Sequence, residues 1–160
     1  MRLIVIRHAI AVDRSPDIPD DARPLTQEGK QRFRQAARGL ARLFPTPDLL
    51  LSSPLLRALQ TARIAARVWH VPVTEEAALG GGSVPELESA LRRLPAQATV
   101  ALVGHEPQVS EFLAHLVGSG QPDRLTFKKG GVAVVDLPAG PTGVGTLVAV
   151  LPPRVLRRAG

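Results

Sequence analysis

Short apolar runs alternate with longer amphipathic stretches along this chain, and the two periods predict strands followed by helices. Leu3-Ile4-Val5-Ile6, Asp48-Leu49-Leu50-Leu51 and Thr99-Val100-Ala101-Leu102-Val103 read as strands buried on both faces of a parallel sheet. Between them apolar residues recur at helical spacing. Phe33, Ala36, Ala37, Leu40, Leu43 and Phe44 form the stripe of a helix from about Gln27 to Phe44. Leu55, Leu59, Ala62, Ala66 and Trp69 form a second, which Ser53 caps and Pro54 opens. Leu87, Ala90, Leu91 and Leu94 mark a brief third helix, and Val109, Phe112, Leu113, Leu116 and Val117 a fourth. Val71-Pro72-Val73 reads as a short extended piece and Gly80-Gly81-Gly82 as a flexible connection. Gly131–Leu137 and Thr146–Leu151 read as two strands joined by a Pro/Gly-rich turn, an antiparallel edge on the sheet. The expected fold is a single α/β domain over residues 1–151, a three-layer α/β/α sandwich with a mostly parallel sheet, followed by a loosely held basic tail over 152–160.

The residues just past the apolar runs carry the chemistry. Open α/β sheets place ligands at the carboxyl ends of their strands. Arg7 and His8 follow the first run, Arg57 lies in or just past the first turn of the helix after the second, and His105 follows the third. If these strands are parallel neighbours, two guanidinium forks and two imidazoles meet in one crevice, a set suited to phosphate. Taken singly, each is more simply a surface arginine or a hydrogen-bonded loop histidine; three equivalent placements together favour a site. Arg63, Arg67, His70 and His115 lack such a context and read as structural.

Composition narrows the classes. Without cysteine there is no thiolate nucleophile, disulfide or thiolate metal site. Histidines and carboxylates show no His-x-His or His-x-x-x-His spacing, so no metal site is expected. The net charge of +6 is almost wholly arginine and favours anionic partners. Nucleic acid is not the expected one, because the aromatic residues are only four phenylalanines and one tryptophan, and four of the five sit at core-like positions. The apolar runs are far shorter than a membrane span and no leader precedes the first strand, so no membrane partner and a cytoplasmic location are expected.

Four segments, taken together and in this order, resemble the histidine phosphatase superfamily: Arg7-His8-Ala9, Arg23-Pro24-Leu25-Thr26-Gln27-Glu28-Gly29, Ser52 to Ala62, and Val103-Gly104-His105-Glu106-Pro107. The resemblance spans nearly the whole chain. The short length and the Arg-Pro-Leu-Thr segment are similar to the small branch that contains the phosphohistidine phosphatase SixA. It implies a phosphoglycerate mutase-like fold, His8 as the phosphorylated nucleophile, Arg7 and Arg57 as holders of the phosphoryl oxygens, and His105 as the completing residue. It further implies Asp20 and Arg23 around the site, with Asp21 the neighbour that a one-residue slip would exchange for Asp20.

The chemistry expected of these residues needs no cofactor. Two arginines and a protonated imidazole would neutralise the equatorial oxygens of a transferred phosphoryl group. A backbone carbonyl near the site would accept the proton of the other His8 ring nitrogen, leaving one nitrogen free to attack. A general acid is less evident: Glu75, Glu76, Glu86 and Glu88 fit no pattern, and Glu106 is the remaining candidate. An imidazole leaving group relaxes the need for an acid, and short connections leave no lid for a sugar phosphate. The expected function is therefore hydrolysis of phosphohistidine on a partner protein, such as a histidine-containing phosphotransfer domain. Small phosphoesters hydrolysed at the same site, or a phosphate-binding regulatory module without turnover, are the alternatives.

Overall fold

The computed structural model describes residues 1–141 and 144–160. The apolar runs form strands β1 (Arg2–Arg7), β2 (Leu49–Ser52), the short β3 (Val73–Glu75), β4 (Thr99–Gly104), β5 (Val132–Asp136) and β6 (Thr146–Leu151). They make one sheet in the order β3-β2-β4-β1-β5-β6. β1, β2, β3 and β4 run parallel, while β5 and β6 add the antiparallel edge. Residues 142 and 143, which fall in the Pro/Gly-rich turn expected from the sequence, lie outside the described residues. Strand β4 pairs with β2 on one side and β1 on the other, so the three runs singled out in the sequence are adjacent.

Helices cover both faces. Helices α1 (Gln27–Leu43), α2 (Leu56–Trp69) and α5 (Pro153–Ala159) pack on Ile4, Ile6, Leu50, Ala101 and Val103. Helices α3 (Val84–Arg92) and α4 (Gln108–Leu116) pack on Leu3, Val5, Leu51, Val100 and Leu102. Alternate residues of one strand thus feed opposite cores, which is why residues 3–6, 49–51 and 100–103 are apolar without interruption.

The structure corrects several boundaries. Residues 152–160 are not a loose tail: after Pro152 they form α5, whose Leu156 is 0% exposed. Gly39 of α1 allows this docking, since a Cβ there would lie 1.9 Å from the Leu156 carbonyl oxygen. Arg42 Nη1 also donates to the Ala159 carbonyl at 2.9 Å. The Gly80–Gly82 connection is likewise held, because the Gln108 side-chain amide donates to the carbonyls of both Ala78 and Gly82. Helix α2 begins at Leu56 with Leu55 in the capping position, so Ser53 does not cap it. Its buried side carries Arg57, Ala58, Thr61, Ala62, Ile64, Ala65 and Trp69, so Ala62 and Trp69 of the expected stripe are buried while Leu55, Leu59 and Ala66 are only half-buried. Leu43 of the α1 stripe is 48% exposed at the helix end.

Candidate active site

The register of the sheet brings the strand ends together. His8 N–H donates to the Gly104 carbonyl at 3.0 Å, and Ser53 N–H donates to the Val103 carbonyl at 2.9 Å. The segments leaving β1, β2 and β4 are therefore hydrogen-bonded side by side where the sheet opens. On the other flank Arg7 N–H donates to the Gly131 carbonyl, and Gly130 N–H points at the carbonyls of Arg7 and His8, each at 3.0 Å. Arg7 and His8 are clamped from both neighbouring strands.

His8 is 7% exposed, and its ring centroid lies 5.0 Å from that of His105. His8 Nδ1 is 2.7 Å from the Ala9 carbonyl oxygen. A carbonyl only accepts, so Nδ1 carries the proton and Nε2 keeps its lone pair. Burial is the main force that pushes the His8 pKa down to about 3, with His105, Arg57 and Arg7 adding to it against the Ala9 carbonyl. The ring is neutral at physiological pH. His105 is also held down, to about 4, by burial first and Arg57 next, with Asp20 opposing. The expected protonated imidazole is thus neutral in this arrangement, because desolvation and neighbouring guanidiniums outweigh one carboxylate.

The residue that sequence reasoning read as a cap acts on His105 instead. Ser53 Oγ lies 2.7 Å from His105 Nε2 and accepts the Leu55 N–H at 3.2 Å. The Ser53 hydroxyl, with one proton and two lone pairs, pairs with Nε2 in either tautomer of His105. His105 Nδ1 is buried and has no partner among the described residues, as is true of Arg7 Nε and Arg57 Nε. Arg7, Arg57 and His105 thus each keep a buried nitrogen whose hydrogen-bonding capacity is unspent within the protein.

The two arginines are fixed by different devices. Arg57, 5% exposed, donates through Nη1 to the Asp20 carbonyl at 2.6 Å and through Nη2 to Asp20 Oδ2 at 3.1 Å. Asp20, in a turn of 3-10 helix over Asp20–Ala22, also accepts Arg14 Nε and Arg23 Nε on Oδ1 at 3.0 Å. Burial works against its ionisation, but Arg57 and Arg23 prevail and hold the carboxyl below the usual carboxylate range. This settles the choice between neighbours: Asp20, not Asp21, is built into the arginine cluster. Arg23 is tied down by Nη1 on the Val12 carbonyl at 2.7 Å. Arg7 Nη1 donates to the Phe127 carbonyl at 2.8 Å.

Thr61 lies within the segment Ser52 to Ala62, yet sequence reasoning gives it no role. Buried at the α2–β1 junction, it accepts the Ala9 N–H at 3.0 Å and donates to the Arg57 carbonyl at 2.7 Å. One hydroxyl thereby links Ala9, the residue whose carbonyl orients His8, to the turn that carries Arg57. The only sequence signal was its position four residues after Arg57.

Glu106 is placed beside His105 in the chain but is engaged elsewhere. Its carboxylate accepts the Ser110 hydroxyl on Oε2 and the Phe127 N–H on Oε1 at 3.2 Å. Glu76 pairs with Arg93, Glu86 completes the capping box with Ser83, Glu88 meets Arg92 and His115, and Glu75 is exposed on β3. No glutamate among the described residues hydrogen-bonds or ion-pairs with Arg7, His8, Arg57 or His105. His70 is exposed at the end of α2, and His115 takes its contact with Glu88, in keeping with structural roles for both.

Comparison with known proteins agrees with this geometry. The family model of the histidine phosphatase superfamily (branch 1) matches residues 3–88. An uncharacterized protein of Picosynechococcus sp. is 37% identical over 137 residues, covering 82% of each chain. Among solved structures, the protein histidine phosphatase SixA complexed with tungstate superposes with a TM-score of 0.84 at 27% identity, over 96% of this chain and 98% of that one. A structure described as a SixA phosphohistidine phosphatase, from Nakamurella multipartitia, gives 0.80 at 28% identity, over 93% and 94%. With the matched segment running from β1 into α3 and the fold shared over nearly the whole chain, the chain belongs to the histidine phosphatase superfamily and is a phosphatase resembling SixA.

Proposed function

We propose that this phosphatase removes the phosphoryl group from phosphohistidine on a partner protein, passing it through His8 without a metal ion. The observation that carries the reading is the Ala9 carbonyl on His8 Nδ1 at 2.7 Å, which leaves Nε2 as a neutral nucleophile among Arg7, Arg57 and His105. In the first step Nε2 attacks phosphorus and the phosphorus–nitrogen bond of the substrate breaks. The leaving imidazole departs neutral when its other nitrogen is already protonated, so the substrate supplies its own proton. In the second step water attacks the phosphoryl group and His8 leaves as the same Nδ1–H tautomer, its proton never having left the Ala9 carbonyl. The proton of the attacking water goes to the released phosphate.

Arg7, Arg57 and His105 are the residues assigned to the equatorial oxygens, where charge accumulates. Glu76, Glu86, Glu88 and Glu106 are engaged in other contacts and Glu75 is exposed on β3, which favours a substrate that needs no carboxylic acid from the enzyme. Likeness to a protein histidine phosphatase solved with tungstate, itself a tetrahedral oxyanion, points the same way. The test compares turnover of a phosphohistidine protein, an aryl phosphate and several sugar phosphates. The reading expects the first two to be hydrolysed and the phosphohistidine protein to be preferred. A preference for sugar phosphates by orders of magnitude would overturn it, and absence of turnover on all three would reduce the site to a binding pocket.

A further inference from the structure

A second recess opens directly beside Arg7, and its chemistry differs from that of the phosphate pocket. It is a cleft of about 330 Å³ between α1, α5 and the loop 127–131. Its apolar wall is built from Ala9, Ile10, Phe33, Ala36 and Pro153. The floor stays open because residue 130 is glycine: a Cβ there would lie 3.4 Å from Phe33 Cδ2 and 3.8 Å from Pro153 Cβ. A rim of cations surrounds it, Arg32, Lys128, Lys129 and Arg157, with no carboxylate among the lining residues. The groove continues along α5 to Arg154. Arg32 is paired with Glu28, whereas Lys128, Lys129, Arg154 and Arg157 have no carboxylate partner among the described residues.

The rim is held in place by the active site itself. Phe127 gives its carbonyl to Arg7, and Gly130 gives its N–H to the carbonyls of Arg7 and His8, so the two lysines between them are fixed at the edge of the catalytic crevice. A volume near the lower end of the roughly 300–1,000 Å³ seen for small-ligand pockets accommodates one large side chain rather than a folded domain. Apolar walls under a one-sign rim call for an anionic segment with an apolar anchor.

We infer that this groove is the docking subsite for the polypeptide that carries the phosphohistidine, and that it takes an acidic stretch with one bulky apolar side chain next to the phosphorylated residue. The inference rests on the phosphohistidine reading above and adds the sequence chemistry of the substrate. The phosphoryl group enters between Arg7 and Arg57, the flanking apolar side chain seats against Phe33, Ala36 and Pro153, and the flanking carboxylates meet Lys128, Lys129 and Arg157.

The test uses the full chain and two phosphohistidine peptides of equal length, one flanked by leucine and glutamates, the other by serine and lysines. An aryl phosphate serves as the substrate that has no flanks. The parent is expected to favour the acidic peptide by about tenfold or more in kcat/KM at low salt, mainly through KM, and the preference should shrink as salt rises. Lys129→Glu with Arg157→Glu should reduce that preference to about threefold or less while aryl phosphate constants change less than about twofold. If charge reversal on α5 prevents folding, Lys129→Gln with Arg157→Gln gives the same readout in smaller steps. Equal turnover of both peptides, or a preference untouched by the substitutions, would overturn the groove and leave the phosphohistidine reading standing. Turnover of the aryl phosphate with neither peptide hydrolysed would overturn both.

Discussion

Replacing Thr61 by valine isolates one hydroxyl on which the site geometry depends. Valine nearly preserves the volume of this fully buried residue, so the packing around it is largely retained. Two hydrogen bonds are lost, and the Ala9 N–H is left without its 3.0 Å acceptor. An unsatisfied buried donor costs about 1–3 kcal/mol, and about 2 kcal/mol lowers the melting temperature of a domain this size by roughly 4–8 °C. The catalytic effect should exceed the stability effect. The freed N–H belongs to Ala9, the residue whose carbonyl sets the His8 tautomer at 2.7 Å, and misplacement by an ångström costs on the order of 10²-fold in rate. Turnover of an aryl phosphate at a temperature well below melting should therefore fall about 10- to 100-fold in kcat, while inhibition by inorganic phosphate stays within about threefold. Thr61→Ser, which restores the hydroxyl, should recover most of the rate. Wild-type kcat in Thr61→Val, or no rescue by serine, would refute the proposed chain from Thr61 through Ala9 to His8.

Two other outcomes concern stability. Below their ordinary value of 6.5, His8 and His105 take up protons in the unfolded chain but stay neutral in the folded one until about 3 and about 4, so the unfolded state binds more protons and stability falls as pH drops through that window. The two together should cost about 4 kcal/mol between pH 7.5 and 5, measurable by urea titration. The double variant His8→Asn/His105→Asn should flatten the dependence, and an unchanged slope would count against the burial of neutral rings. Leu156→Ala should destabilise the protein by about 2–5 kcal/mol, read by thermal melting, because α5 is packed on α1 through this fully buried residue; a melting temperature equal to that of the parent would mean the last helix is dispensable.

The strand ends were legible because a doubly buried strand announces itself as an uninterrupted apolar run, and the first polar residue beyond it must lie at the sheet's edge. That logic located Arg7, His8 and His105, and the helix after β2 located Arg57. The adjacency of β1, β4 and β2 was an assumption at that stage and is a property of the sheet. What the sequence did not disclose depends on contacts between residues far apart in the chain. Ser53 looks like a helix cap from its neighbours, yet its partner is His105, 52 residues away. Thr61 is one more small residue on an alanine-rich helix until Ala9 arrives against it. The tail carries Arg154, Arg157 and Arg158 and reads as solvated, while Leu156 and the missing side chain at Gly39 decide otherwise. The neutral state of His105 was equally hidden, since burial and the approach of Arg57 arise only on folding.

The account stands on His8 as the atom-bearing intermediate of phosphoryl transfer. Rapid quench of the enzyme with a substrate labelled on its phosphoryl group, followed by peptide mapping under alkaline conditions, should recover label on the fragment containing His8. The same procedure on His8→Ala should recover none, and that variant should not turn over. Equal labelling of His8→Ala, or turnover by it at the parent's rate, would contradict the account.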